Sequence, residues 1–305
     1  MDVYLNEVTC ELSEVEIDNI ALGAQFGFPD TFIESKLGFL TRRELSGDRN
    51  IIDLFSSAAM HLDIDDSVLA IIWVSQTSPF KGIPHLSAAA QKILGLAPSV
   101  LSFDMGLGCS GYPAALHVAK SIVQSSGRDD AEVLIVTGDA YSKIVDPTDK
   151  DTALIFGDGL SISRVSVVAK GLAMKIGSFA THTTFSKALC SESGGLEMNG
   201  REVYNYVLST VRPLVDSCMG ESGFSLDEVS RVYAHQGSKH IVRQVGRALE
   251  LDDVSCPFYS QHVGNMVSTS IPFGLSTISP EPGVHVLLGF GVGLQATAIQ
   301  LEKSV

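Results

Sequence analysis

The chain contains a faint internal repeat in which a short apolar segment, a polar loop and an amphipathic helix recur in the same order. The first unit occupies residues 68–96 (VLAIIWVSQTSPFKGIPHLSAAAQKILGL) in one copy and residues 229–251 (VSRVYAHQGSKHIVRQVGRALEL) in the other. Apolar runs of about five to eight residues that alternate with helices of about 10–15 residues are typical of layered α/β folds. The pattern therefore predicts an α/β protein with mostly parallel, buried strands.

Two further units follow in the same order in both copies. A strand, a glycine-containing loop, a polar residue and a helix occupy residues 100–116 and 256–275, and two apolar strands around a glycine turn occupy residues 132–165 and 283–301. This duplication predicts two similar halves packed together, with the seam near residues 165–172. We therefore divide the chain into an N-terminal half, 1–168, and a C-terminal half, 169–305.

Composition limits the class of protein. Hydrophobic residues make up 45% of the 305 residues, which allows a substantial core. The formal net charge of −14 argues against nucleic acid as the main partner, because phosphate binding needs a basic surface. A run of about 18 apolar residues is missing, so no membrane span is expected. The start, MDVYLNEVTCELSEVEIDN, is acidic and lacks the pattern of a signal peptide, so we expect a cytoplasmic protein.

The cysteines and histidines do not suggest a disulfide framework or a metal site. The five cysteines are scattered, and no two of them form a CxxC pair. His235 and His240 are five positions apart, which suits one helical face poorly, and no carboxylate completes a ligand set. We expect no metal.

Cys109 lies in the segment GLGCSGYPAAL, between a β-favouring stretch, 99–105, and a helical one, 114–126. A helix N-terminus offers unpaired N–H groups and partial positive charge, which favour the reactive thiolate. The glycines on both sides allow a sharp turn that keeps the sulfur approachable, and Pro113 fits a first helical turn. A buried, inert core cysteine is the alternative interpretation.

His235 and Asn265 follow apolar segments of the second half, so both are expected near Cys109, where strands of an α/β sheet end. A histidine beside a thiol can stabilise its ionised form or donate a hydrogen bond to developing negative charge, and an asparagine amide can donate a second one. Each residue also has a structural interpretation: His235 as a hydrogen-bonded core histidine, and Asn265 as a helix N-cap.

Six motifs in this order resemble one family over nearly the full length of the chain. They are GCSG around Cys109, DPTDKDTALIFGDG (146–159), MNGREVY (198–204), HQGSKH (235–240), HVGNMVSTSIP (262–272) and GFGVG (289–293). The sequence resembles β-ketoacyl-[acyl-carrier-protein] synthase III, a thiolase-like family of fatty acid biosynthesis.

The resemblance implies a five-layered αβαβα fold, a homodimer and a decarboxylative Claisen condensation of an acyl-CoA with a malonyl thioester on acyl carrier protein. It implies Cys109 as the acyl-accepting nucleophile, with His235 and Asn265 as the decarboxylation pair. The backbone N–H groups of Cys109 and Val292 would form the oxyanion hole. The acyl-CoA is a substrate, and no cofactor is implied.

The resemblance also implies contacts to the substrates. Phe32 would stack on the adenine of coenzyme A, Lys36 and Lys143 would supply positive charge to it, and Ile83 would cross the dimer to close the partner's acyl tunnel. Gly200 and Tyr204 would form the tunnel wall. Ser238 stands where the family commonly has an asparagine that supports the site.

Other departures and the choice of relatives leave alternatives open. His240 replaces a basic residue associated with carrier-protein docking, and Val292 replaces a glycine. The C-terminal glycine turn, 289–295, lacks the second cysteine of thiolases, and Asn265 stands where elongating synthases have a second histidine. The SQTSPF segment, 75–80, lacks the glutamate of hydroxymethylglutaryl-type synthases. A non-malonyl acceptor, such as an alcohol or an amine, is one alternative, and a non-catalytic partner subunit is another.

Overall fold

The structure, a computed structural model, describes residues 1–182, 187–191 and 195–304, and the side chain of Ile176 is not described. Thirteen strands are present within these residues. They are β1 (Tyr4–Leu12), β2 (Val15–Asp18), β3 (Thr41–Glu44), β4 (Val68–Val74), β5 (Leu101–Met105), β6 (Glu132–Asp139), β7 (Gly159–Ser166), β8 (Leu172–Thr181), β9 (Leu189–Cys190), β10 (Glu197–Met198), β11 (Val229–Ala234), β12 (Gly283–Gly291) and β13 (Gln295–Lys303).

Eight α-helices and several short turns join these strands in the described part of the chain. The helices are α1 (Asn19–Gln25), α2 (Asp30–Phe32), α3 (Ile51–Ala59), α4 (Leu86–Ile93), α5 (Gly111–Ser126), α6 (Gly200–Ser222), α7 (Lys239–Ala248) and α8 (Ser270–Thr277). A π-helical turn spans Ile33–Leu37, and 3₁₀ turns span Gly108–Ser110, Tyr141–Lys143, Leu226–Glu228, Val267–Thr269 and Val292–Leu294.

Nine strands form one sheet in the order β11-β12-β13-β8-β1-β7-β6-β4-β5. This sheet consists of two half-sheets, because β1 and β8 pair only through Tyr4–Ala173 and Leu5–Leu172. Strands β5, β4, β6, β7 and β1 come from the N-terminal half of the chain, and β11, β12, β13 and β8 from the C-terminal half. Two small sheets, β2-β3 and β9-β10, stand apart.

Three apolar clusters give the layers. One cluster joins α5 and α8 to strands of both half-sheets, which places these helices in the middle. A second lies between α6, α7 and the C-terminal half-sheet, and a third between α3, α4 and the N-terminal half-sheet. Because each half-sheet buries both faces, its strands have the near-continuous apolar runs seen in the sequence. The αβαβα layering expected from the sequence is confirmed.

The prediction of mostly parallel strands is wrong. Parallel pairing joins β4 to β5 and β6, and β11 to β12, where helices cross between strands. The remaining pairs of the large sheet are antiparallel. In the β12–β13 pair, the three-residue turn Val292–Leu294 reverses the chain at once. A short turn can join only antiparallel neighbours, whereas a parallel pair needs a long crossover.

The strand predicted at the start of residues 256–275 is absent as well. Residues 257–260 carry no ladder, although α8 follows later as expected. The side chain of Gln236 takes the place of a neighbouring strand there, since its Nε2 donates to the Pro257 carbonyl at 3.4 Å and its Oε1 accepts from the Tyr259 amide at 3.0 Å. Pro257 itself has no N–H to offer a ladder.

The seam between the halves falls in residues 167–171, which connect β7 to β8. Both ends of the large sheet are edges, β11 at one end and β5 at the other. Among the described residues, every helix is too short or too polar to cross a membrane.

Candidate active site

Cys109 lies in the 3₁₀ turn Gly108–Ser110, directly after β5 and directly before α5. Its side chain is buried, with 5% exposed. Two flanking glycines are required by close packing: a Cβ at Gly108 would lie 2.3 Å from Gln76 Oε1, and one at Gly111 would lie 2.3 Å from Val74 Cγ1. These glycines therefore let the turn that contains Cys109 pack directly against the end of β4.

The glycine turn of the C-terminal half also presses against Cys109. A Cβ at Gly289 would lie 2.7 Å from the Cys109 carbonyl oxygen, and one at Gly291 would lie 3.0 Å from Cys109 Cβ and 3.2 Å from Sγ. Gly291 has φ +156°, a conformation that glycine adopts most readily. Val292 comes next and is half-buried. Its role as an oxyanion donor stays a prediction.

His235 directly follows β11 and is 3% exposed. The ring of Phe290 meets its imidazole edge-on, with centroids 5.4 Å apart and planes at 82°, which fixes the ring orientation. His235 Nδ1 is buried and has no hydrogen-bond partner. The simple interpretation of His235 as a fully hydrogen-bonded core residue therefore fails.

Asn265 is held from two sides. Its backbone N–H donates to the Ile155 carbonyl at 2.9 Å, and its carbonyl accepts from the Gly157 amide at 3.0 Å. Its Oδ1 accepts from the Val267 amide at 2.9 Å and from Ser270 Oγ at 3.4 Å, which holds the side chain in place. The N-cap position of the following 3₁₀ turn is Met266, so the interpretation of Asn265 as a helix N-cap is wrong. Because Oδ1 accepts these bonds, Nδ2 is left as a hydrogen-bond donor, and its part in the chemistry stays a prediction.

Cys109, His235 and Asn265 line one cavity of about 650 Å³. Most of the remaining lining is apolar and includes Leu37, Ile155, Phe156, Leu189, Met198, Val203, Ile241 and Phe290. An apolar cavity with a few convergent polar groups is the usual form of a small-molecule site. Within the described residues, no three acidic, histidine or cysteine side chains come together as a possible metal site.

Five of the predicted substrate-binding residues line this cavity. They are Phe32, Lys36, Gly200, Tyr204 and Ser238. The Ser238 side chain also accepts from the Ile241 amide at 3.2 Å, which caps α7. A serine replaces the family's asparagine here without loss of a cap, because both are good N-cap residues.

Two predicted residues lie elsewhere. Lys143 is exposed, and its Nζ donates to the carbonyl oxygens of Leu45 at 3.1 Å and Gly47 at 2.8 Å, so its charge is engaged away from the cavity. Ile83 is 87% exposed in the loop between β4 and α4. Within one protomer, neither Lys143 nor Ile83 lines the cavity that contains Cys109.

Two further cavity-lining residues were not assigned to the cavity from the sequence. Arg201 and His240 both line it, together with Lys36. His240 stacks on Tyr204, with centroids 5.8 Å apart and planes at 12°. Burial lowers the pKa of His240, and the nearby charges of Lys36 and Arg247 lower it further. The sequence did contain a signal for Arg201, because this residue lies inside the MNGREVY motif.

Burial moves the pKa values of Cys109 and His235 toward their neutral forms. It raises the pKa of the Cys109 thiol, the nearby Asp139 carboxyl raises it further, and a backbone hydrogen bond opposes both. Burial also lowers the pKa of His235 to about 3, against an opposing contact with the Val267 backbone. Loss of water therefore opposes the thiolate that a helix N-terminus favours, and the thiolate stays a prediction.

The family model for 3-oxoacyl-[acyl-carrier-protein (ACP)] synthase III matches residues 103–183, and the model for the C-terminal part of the same enzyme matches residues 219–303. Together they cover more than half of the chain. The β-ketoacyl-[acyl-carrier-protein] synthase III of Lactobacillus delbrueckii subsp. bulgaricus is 30% identical, over 94% of this chain and 95% of the relative. The protein of the same name from Clostridium beijerinckii is 27% identical, over 90% of each chain.

A solved structure agrees with these relatives. A crystal structure of a 3-oxoacyl-(acyl-carrier-protein) synthase III superposes with a TM-score of 0.91 at 25% identity, and covers 99% of this chain and 100% of the other. A thiolase-like fold with cysteine, histidine and asparagine at one cavity defines an acyl-transferring condensing enzyme. The chain belongs to the 3-oxoacyl-[acyl-carrier-protein] synthase III family.

Proposed function

We propose that the enzyme condenses an acyl-CoA primer with a malonyl thioester, carried by acyl carrier protein, in a decarboxylative Claisen reaction. The observation that carries this proposal is the convergence of Cys109, His235 and Asn265 on one apolar cavity. Burial lowers the pKa of His235, and the Asn265 side chain accepts through Oδ1, which leaves Nδ2 as a donor. A thiol that accepts an acyl group and two donors that stabilise an enolate are the groups this reaction needs.

In the first half-reaction Cys109 becomes acylated. His235 Nε2 takes the proton of the thiol as Sγ attacks the thioester carbonyl, which avoids an isolated thiolate in a dry cavity. The backbone N–H groups of Cys109 and Val292 hold the oxyanion, and each such donor is worth about 3–4 kcal/mol in the transition state. The C–S bond to coenzyme A then breaks, and coenzyme A leaves as the thiol with the proton from His235.

In the second half-reaction the malonyl thioester places its carbonyl oxygen between His235 Nε2 and Asn265 Nδ2. Carbon dioxide leaves, and its bonding electrons form an enolate whose charge the two donors stabilise. The enolate carbon attacks acyl-Cys109, the Cys109 C–S bond breaks, and a 3-oxoacyl thioester forms; the Cys109 sulfur leaves as a thiolate and takes a proton from water. His235 accepts a proton at Nε2 in the first half-reaction and donates from Nε2 in this one, so its ring proton moves from Nδ1 to Nε2, by exchange with water, after coenzyme A has left. His235 and Asn265 then each offer an N–H without a permanent charge. The proposed reaction uses no cofactor.

The mouth of the cavity suits a coenzyme A thioester. Lys36 and Arg201 supply positive charge there, and Phe32, which stacks on Phe28 with centroids 4.8 Å apart, offers an aromatic face. These groups match the phosphates and the adenine of coenzyme A. The chain carries a net charge of −14, so this local cluster stands against an acidic background.

The test is a two-stage incubation of the purified enzyme. Intact mass spectrometry with a panel of acyl-CoAs is expected to show one added acyl mass, on the peptide that contains Cys109. Addition of malonyl-ACP is then expected to discharge the acyl group and release carbon dioxide and a 3-oxoacyl product. An enzyme that acylates but never decarboxylates malonyl thioesters would contradict the proposal and favour transfer to an alcohol or amine.

We expect the enzyme to be a homodimer. Strand β5 forms an edge of the large sheet, and its Leu101 is 53% exposed, while Ile83 stands out 87% exposed nearby in sequence. Pairing of two β5 edges would cover these side chains and bring Ile83 toward a partner's site. Sedimentation equilibrium at micromolar concentration should give twice the chain mass. A single-chain mass would contradict the dimer and exclude a role for Ile83 in a partner's tunnel.

Gly291→Ala is expected to slow acylation by about 10²-fold, the usual scale for displacing a reacting atom by an ångström. The new Cβ would lie 3.2 Å from Cys109 Sγ, in the path of the thioester. Gly293→Ala is the matched control, since Gly293 also has positive φ, +79°, but nothing lies within 4 Å of its Cβ position. The rate of acyl-enzyme formation by mass spectrometry checks the pair, and equal losses in both variants would point to backbone strain instead.

A further inference from the structure

Asp139 is a buried carboxylate that the proposed mechanism does not use. It is the last residue of β6 and is 0% exposed. No lysine, arginine or histidine forms an ion pair with it among the residues that the structure describes. Burial raises the pKa of the Asp139 carboxyl, and hydrogen bonds from Gln76, Ser268 and Ser75 oppose that rise. A buried carboxyl costs free energy unless its oxygens are hydrogen-bonded, so its partners show what it holds in place.

One carboxyl oxygen of Asp139 holds the end of β4. Its Oδ1 accepts from the Gln76 amide at 2.7 Å, from Ser75 Oγ at 3.1 Å and from Thr77 Oγ1 at 3.3 Å. The Gln76 side chain continues this contact to the nucleophile turn, because its Nε2 donates to the Gly106 carbonyl at 3.2 Å. Its Oε1 occupies the space that a Cβ on Gly108 would need.

The other carboxyl oxygen holds the turn that follows Asn265. Asp139 Oδ2 accepts from Ser268 Oγ at 2.6 Å. Ser268 belongs to the 3₁₀ turn Val267–Thr269, and the Val267 amide of that turn donates to Asn265 Oδ1. The orientation of the Asn265 amide therefore depends on a turn that Asp139 anchors.

We propose that Asp139 is a positioning residue that links the Cys109 turn, through Gln76, to the Asn265 turn, through Ser268. The inference rests on the proposed condensation, because it assigns Asp139 a part in holding that site. Ionised Asp139 would also raise the pKa of the Cys109 thiol, which is the second cause, after burial, found for that group.

The test compares Asp139→Asn with Asp158→Asn. Asp158 is a matched control, since it is also 0% exposed and also holds strand ends, through the amides of Leu45 and Ser142, both at 3.0 Å. The rate of Cys109 alkylation by iodoacetamide across pH is the main measurement. Asp139→Asn is expected to raise that rate about tenfold, the scale of one lost hydrogen bond to a charged group, because weaker contacts to Ser75, Gln76 and Thr77 loosen the turn that buries the thiol. Asp158→Asn is expected to keep the wild-type rate.

The same variants separate positioning from simple stability. Asp139→Asn should reduce malonyl decarboxylation about tenfold while acyl-enzyme yield stays near wild type, the scale of a lost supporting contact. A folded Asp139→Asn enzyme with the wild-type alkylation profile and wild-type decarboxylation would overturn the proposal. Alkylation needs no substrate, so failure of the condensation itself would show separately, in the wild-type enzyme.

Ser268→Ala covers the case in which Asp139→Asn does not fold. It keeps the carboxylate and removes only its contact to the Asn265 turn. We expect a wild-type alkylation profile, because the contact of Asp139 to Gln76 and the Cys109 turn remains, with decarboxylation again reduced about tenfold. Unchanged decarboxylation in a folded Ser268→Ala enzyme would overturn the link between Asp139 and Asn265.

Discussion

Cys109→Ala is expected to abolish acyl labelling from acyl-CoA and to reduce condensation by roughly 10⁴-fold or more, the scale of losing a catalytic nucleophile. The reason is positional: Cys109 is the cysteine that lines the cavity with His235 and Asn265. Intact mass spectrometry followed by peptide mapping gives the measurement. The cavity wall hardly changes otherwise, because the substitution removes one sulfur atom.

Cys256→Ala serves as the control for a buried cysteine. Cys256 is 3% exposed and contacts the Val242 carbonyl from its Sγ at 3.9 Å, outside the cavity lining. This variant should label like the wild type. Labelling that persisted in Cys109→Ala and disappeared in Cys256→Ala would move the nucleophile and contradict the proposed site.

Asn265→Ala is expected to keep acyl-enzyme formation and to lose malonyl decarboxylation by about 10²–10³-fold, the effect of one oxyanion donor. His235→Ala should lose both acylation and decarboxylation. In the proposed mechanism, burial favours a protonated Cys109 thiol and His235 is the base that takes its proton. The paired measurement is acyl-enzyme yield by mass spectrometry and carbon dioxide release from a malonyl thioester. If Asn265→Ala lost acylation and kept decarboxylation, the assignment of Asn265 to the decarboxylation step would be wrong.

Asn265→Ala also removes the hydrogen bond from the Val267 amide to Oδ1, and the loss of a helix cap, about 0.5–2 kcal/mol of stability, gives its scale. Asn50→Ala controls for this loss, since Asn50 caps α3 by accepting from the Ile52 amide at 2.9 Å, outside the cavity lining. Both variants should melt lower than the wild type, and only Asn265→Ala should lose decarboxylation. Equal activity losses would assign Asn265 a structural role alone.

The sequence predicted the layers because burial leaves a direct mark on composition. Strands covered on both faces are apolar throughout, as in VLAIIWV of β4 and EVLIVTGD of β6. The glycines around Cys109 were informative for a similar local reason, because a side chain at either position would clash with Gln76 or Val74. Strand direction was not predictable in this way, because parallel and antiparallel neighbours share the same apolar faces.

The parts of the site that sequence could not give depend on contacts between distant residues. Lys143 stands in a favourable motif, yet carbonyl oxygens of Leu45 and Gly47 hold its ammonium. Burial and Asp139 both raise the pKa of the Cys109 thiol, and a local pattern reveals neither cause. The sequence predicted that Cys109 lies near His235 and Asn265, whereas the direction of its pKa needed the fold.

The narrow join between the half-sheets has a mechanical consequence. Strand pairing between them is limited to Tyr4–Ala173 and Leu5–Leu172, and Cys109 follows a strand of one half while His235 follows a strand of the other. We expect that sliding one half past the other by an ångström would separate the proposed nucleophile from its proposed base and slow the reaction by about 10²-fold. The apolar cluster around helices α5 and α8 joins both half-sheets, so this middle layer resists that sliding.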